Sequence, residues 1–101
     1  METTRVVNMR REKYEVYIGR PSQFGNPFSV KMYGREGCIA KYKDYFYRRI
    51  ANAPHNVIDA RFKRCVEALK GKILGCYCKP LHCHGDIIVE YLEEKGEKDN
   101  G

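Results

Sequence analysis

Apolar residues change their spacing along the chain, and each change of period marks an element. TRVVNM, beginning at Thr4, is a short β-branched run. In YEVYIG (14–19) Tyr14, Val16 and Ile18 alternate onto one side. Alternation of period two is the mark of a strand, so two N-terminal strands are expected, with RREK between them as a hairpin connection. RPSQFGNPFS, from Arg20, has no period and reads as a loop rich in hydrogen-bonding groups. From residue 37 to about 51 the spacing becomes helical, with Ile39, Tyr42, Phe46 and Ile50 on one face and Lys41, Lys43, Asp44, Arg48 and Arg49 largely opposite.

ANAPHN then breaks the helix. A second helix is expected over 56–70, with Ile58, Phe62, Cys65, Val66 and Leu69 on its apolar stripe and Gly71 in the position past the end that favours glycine. KILGCYC (72–78) reads as a buried strand, KPLH as a tight turn, and 83–95 as a last helix burying Ile87, Ile88, Tyr91 and Leu92. The order β-β-α-α-β-α predicts a small single-domain α/β or α+β sandwich of Rossmann-like type over residues 1–95, with strand 72–78 central and 96–101 as a flexible tail.

Composition narrows the function. At 101 residues the chain holds one modest core. No apolar run approaches the roughly 18 residues that would cross a membrane, and METTRVVNMRREKYEV lacks the apolar core of a secretory signal. A cytoplasmic protein with no membrane partner is expected. Net charge is +6, concentrated in the first half, which suggests a phosphate-bearing partner, either a nucleotide or a nucleic acid.

Candidate chemistry is concentrated in LGCYCKPLHCHGD (74–86), which holds three of the five cysteines and two of the three histidines. An odd cysteine count without a secretion signal argues against a disulfide framework. Cys38 and Cys65 fall at apolar-periodic positions and read as core. Cys76 and Cys78, two apart on a strand, share a face, while Cys83 and His84 sit where the chain enters the last helix, at the positive end of its dipole. Two chemistries suit this pattern. Cys76, Cys78 and Cys83 with His82 or His84 form a ligand set that zinc favours, although C-x-C-x4-C-H is not the spacing of ordinary zinc knuckles. Alternatively, Cys83 is a thiolate activated by the helix end and a neighbouring imidazole, with Asp86 orienting that imidazole or binding ribose hydroxyls. The bland alternative is packing, with small buried thiols and a helix cap. A second constellation, IGRPSQFGNPF, offers Arg20 for a phosphate or carboxylate, Ser22 and Asn26 as neutral hydrogen-bonding groups, and Phe24 and Phe28 as faces for a base or sugar. It lacks the spacing of a P-loop.

VVNMRREKYEVYIGRPSQFGNPFSV with GKILGCYCKPLHCHGDIIVEYL resembles the domain-of-unknown-function family 4326, small proteins of phages and bacteria. The shared pattern is a V-N-x-R opening, a Y-x-V-Y-I-G-R-x-S-x-[WF]-G-N-P-F segment and a G-C-x-C-x-P-x-x-C-H-G-D close, spanning about Arg5 to Leu92. Phe24 stands where the family often has tryptophan, and His82 lies outside the pattern, which favours His84 as the working imidazole. The resemblance adds Asn8, of the opening motif, to the ligand-binding candidates Arg20, Ser22, Asn26 and Phe28. It implies a family without implying an activity. The Cys-His ending is also similar to a Cys-His-Arg turn of another Rossmann-like family, with Gly85 in place of arginine. The leading expectation is a domain binding a nucleotide or nucleic-acid phosphate at the 72–86 turn, with Cys83, His84 and Asp86 available for catalysis. The others are a zinc-stabilised nucleic-acid-binding or protein-interaction module and a phage-encoded inhibitor acting through its basic surface.

Overall fold

The computed structural model describes residues 3–100, with the backbone alone at 96–100. The tail expected at 96–101 lies outside the residues described in full. Three short strands, β1 (Arg5–Asn8), β2 (Val16–Tyr17) and β3 (Ile73–Cys76), form a parallel sheet in the order β1-β3-β2. Three helices accompany it: α1 (Val30–Asn52), α2 (Val57–Glu67) and α3 (Gly85–Asn100). The fold is mixed α/β, and this small parallel sheet is consistent with a Rossmann-like arrangement.

β3 is central, as its apolar run predicts, because a strand flanked on both sides must bury both faces. Leu74, Gly75 and Cys76 are all buried. The expected hairpin is not formed. β1 and β2 each pair in parallel with β3, with Val6 opposite Leu74 and Tyr17 opposite Gly75. Each N-terminal strand gains more by lining the buried central strand than by pairing with the other, and the connecting residues cross over the end of β3. Tyr14 precedes β2 and lays its ring over Gly75, where an added Cβ would stand 2.6 Å from the ring. No side chain other than hydrogen fits beneath that ring.

α1 begins well before the expected residue 37. Ser29 caps it by accepting from the Met32 amide at 3.3 Å, and the helix kinks at Gly34, whose φ of 73° suits glycine alone. The first turn escapes the periodic pattern because Val30, Met32 and Tyr33 are exposed. Cys38, Ile39, Tyr42 and Phe46 bury its inner face.

Asn56 caps α2 through its Oδ1, which accepts from the Ile58 and Asp59 amides. Ile58, expected in the core, is 70% exposed. The first turn of α2 lies beside the short 3-10 turn Ala53–His55, and the stripe reaches the core only at Phe62, Val66 and Leu69. Cys65 is half-buried at the core's margin. α2 ends at Glu67 with Ala68 as its C-cap, short of the expected residue 70, so Gly71 serves the turn beyond the helix, where it takes a positive φ of 81°. In α3 the four predicted apolar residues are all buried. Among the described residues no helix is long and apolar enough to cross a membrane.

Candidate functional site

The carboxyl ends of β2 and β3, the loop after β2 and the turn into α3 enclose a cavity of about 370 Å³. Ligands of open α/β sheets gather at this end of the strands, where side chains from several connections converge. Arg20, Asn26, Phe28, Cys76, Cys78, Cys83 and His84 all reach its wall. Two segments far apart in sequence therefore meet, and Asn8, Ser22 and Asp86 remain behind the wall.

The loop after β2 is held by its own polar side chains. Arg20 donates from Nε to the Asn26 carbonyl at 2.7 Å and from a terminal nitrogen to the Phe28 carbonyl at 3.1 Å. Asn26 accepts from the Phe28 amide and donates to the Cys38 carbonyl, fastening the loop to α1. Ser22 accepts from the Phe24 amide within its own turn. Asn8 donates to the Lys79 carbonyl at 2.8 Å and accepts from the Arg10 amide, tying β1 to the turn after β3. These four residues build the site's frame, and Arg20 keeps further N–H donors free toward the cavity because a guanidinium carries five.

The turn into α3 is built with equal economy. Asp86 accepts from the Cys83 amide at 3.0 Å through Oδ2, pairs with Lys79 through Oδ1, and lies 3.8 Å from His82 Nε2, so it caps the helix and also faces a histidine. His84 is buried, stacks edge-on against Tyr42, and donates from Nε2 to the Ile18 carbonyl at 2.8 Å. A carbonyl can only accept, so the proton is on Nε2 and Nδ1 carries the lone pair. Burial lowers the His84 pKa, which keeps the ring neutral. His82 is half exposed and bonds through Nδ1 to Glu36 at 2.7 Å.

Cys76 and Cys83 are both buried with their sulfurs 3.6 Å apart. The hydrogen bond with Cys83 holds Cys76 down to about 6, with further help from the backbone N–H groups of Lys79 and Cys78 and the Lys79 ammonium. Cys83 is pushed up by sharing that hydrogen bond and by burial. The two sulfurs share one hydrogen bond, which favours a thiolate at Cys76 and a protonated Cys83. Cys78 is half-buried on the same wall. Among the described residues no three His, Cys, Asp or Glu side chains are grouped to hold a metal ion.

The model for the domain of unknown function DUF4326 matches residues 2–94. The chain belongs to this family. A relative, the "Uncharacterized 12.4 kDa protein in nrdA-td intergenic region" of Enterobacteria phage T4, is 38% identical over 88 residues, covering 87% of this chain and 76% of that protein. No solved structure matches.

Within this DUF4326 domain, the cavity residues that sequence reasoning missed include Arg35, Tyr17 and Tyr77. Arg35 lies in α1 ahead of the expected helix start at residue 37, and it donates to the His82 carbonyl at 3.4 Å. Tyr77, between the two strand cysteines, is 54% exposed, with the Arg10 guanidinium 5.0 Å from its ring centre and Tyr17 edge-on at 6.1 Å. An exposed tyrosine between two thiols at a strand's carboxyl end was the available signal. Lys41 and Arg48, on the polar face of the first expected helix, lie on a separate groove of about 770 Å³ along α1 and α2. Arg49 also lines that groove but is engaged, bonding to Asp59 at 2.8 Å and lying 3.9 Å over the Phe62 ring.

Proposed function

We propose that the cavity binds a nucleotide through its phosphate, with the base or sugar against the aromatic rim. The observation that carries this reading is the charge of the wall. Arg20, Arg35, His82 and His84 line the cavity and no aspartate or glutamate does. A wall with two guanidiniums and no carboxylate favours an anion, and guanidiniums present the paired donors that match phosphate oxygens. The aromatic groups Phe28, Tyr17 and Tyr77 on the same wall supply faces for a planar base. The volume lies within the range of small-ligand sites. His84, neutral with Nδ1 bare, is suited to accept a hydrogen bond from a ribose hydroxyl or base amino group.

This reading separates a mononucleotide from a polymer. A mononucleotide engages few cations, so its affinity changes little with salt, whereas each phosphate of a polymer neutralised at the surface releases a counterion. Calorimetric titration with nucleoside monophosphates, and with a short single strand and a duplex at low and moderate salt, tests both. Arg35→Ala should weaken mononucleotide binding roughly ten- to a hundredfold, the equivalent of about 1.5–3 kcal/mol for a hydrogen bond to a charged group. Arg35 is the better probe than Arg20, whose removal also loosens the loop. Equal affinity of the wild type and Arg35→Ala would overturn the proposal, as would binding of the nucleoside as tightly as its phosphate.

A further inference from the structure

Cys76 and Cys83 share a position that ligand binding does not explain. Their sulfurs lie 3.6 Å apart, one at the end of the central strand and the other in the turn that opens α3. Each residue is only 1% exposed, yet both line the cavity. From the geometry we propose that this pair is a site of reversible oxidation, in which hydrogen peroxide entering the cavity links Cys76 to Cys83 as a disulfide.

Three observations on the page carry this. The sulfurs are already adjacent, and closing to a bond length of about 2.05 Å needs side-chain adjustment and no rearrangement of elements. Access runs through the cavity, whose wall both sulfurs reach, and hydrogen peroxide is small enough to enter it. The surroundings favour a nucleophile at Cys76, since backbone N–H groups and the Lys79 ammonium face it and support a thiolate. The other cysteines are placed differently. Cys38 also lines the cavity but donates its thiol to the Arg35 carbonyl at 3.2 Å, and Cys65 is away from the wall. Cys78 is on the wall and is the natural competitor.

The chemistry balances in two steps. The Cys76 thiolate attacks one peroxide oxygen, the O–O bond breaks, and the departing hydroxide takes a proton to become water, leaving a sulfenic acid. Cys83 then gives up its proton and its sulfur attacks the Cys76 sulfur. The S–O bond breaks, and the hydroxide released combines with that proton as a second water. Two thiols lose two electrons and two protons, and the peroxide is reduced to water. A bridge here reshapes the wall and removes the Cys76 charge. The proposal does not rest on the nucleotide reading.

The test uses the full chain, fully reduced, treated with hydrogen peroxide and followed by intact mass and non-reducing peptide mapping. The expected result is loss of two hydrogens, a bridge between the Cys76 and Cys83 peptides, and full reversal by dithiothreitol. Cys76 should react about tenfold faster than Cys65. Cys83→Ser should stop at a sulfenic acid on Cys76 that dimedone captures, and Cys78→Ser should form the same bridge as the wild type. A bridge to Cys78, no bridge at all, or oxidation of Cys76 no faster than Cys65 would overturn the proposal. The wild-type map and the Cys78→Ser variant decide it even if Cys83→Ser folds poorly.

Discussion

His84 shows how one residue serves both fold and site. Its Nε2 proton bridges to the Ile18 carbonyl just beyond β2, and its other face is on the cavity. Burial, which dominates over the favourable Ile18 bond and Asp86, lowers its pKa, with Arg20 acting in the same direction as burial. A depressed histidine pKa means the unfolded chain binds a proton more readily than the folded one. The stability this group contributes is therefore complete above its unfolded pKa of about 6.5 and is lost as pH falls through the folded value. Thermal melts of the wild type should fall in midpoint as pH drops from 7 toward 5. His84→Gln, which keeps a side-chain donor but cannot be protonated, should show a shallower fall. Identical slopes would remove His84 from this role. The polar residues named from sequence were legible as ligand-type groups, but not their partners. Arg20, Asn26 and Asn8 spend donors on backbone carbonyls, and a sequence displays a donor without the carbonyl that will occupy it.

At the scale of elements, periodicity located the helices and the central strand, and it missed what depends on distant partners. β3 was readable because a strand buried on both faces is apolar throughout. The hairpin was misread because strand pairing is decided across the sheet, and a short polar connection suits either a hairpin or a crossover. The junction between α3 and the sheet depends on Gly85. A Cβ there would stand 2.6 Å from the Ile18 Cδ1 and 2.9 Å from a Val6 methyl, so glycine lets the helix start close against β1 and the end of β2. Gly85→Ala should destabilise the fold by about 1–3 kcal/mol, the usual cost of overpacking a filled core. Urea denaturation checks this, and a midpoint unchanged from wild type would show that the junction has room to yield.

Across the whole molecule the positive charge divides into two regions with different partners. Along α1 it is largely compensated, with Arg48 paired to Asp44, Lys43 to Glu90 and Arg49 to Asp59. Asn52 and then Arg49 hold the Asp59 carboxyl below its ordinary pKa, as expected of a committed ion pair. Around the cavity the guanidiniums of Arg20 and Arg35 meet backbone carbonyls and, among the described residues, no carboxylate partner. The basic excess is visible in composition and so is the i, i+4 pair of Asp44 with Arg48, but the pairs of Lys43 and Arg49 are not, because partners 47 and 10 residues away leave no mark in sequence.

The central claim is that a phosphate-bearing ligand enters the cavity at the ends of β2 and β3. Titration of the isotopically labelled chain with a nucleoside monophosphate, followed by amide chemical shifts, tests it most directly. The account predicts saturable shifts at Gly19, Arg35, Tyr77, Cys78 and His82 to His84, with inorganic phosphate moving a subset of them. Shifts confined to the α1–α2 groove at Ala40, Arg48 and Asn52, or no shifts at millimolar ligand, would contradict it.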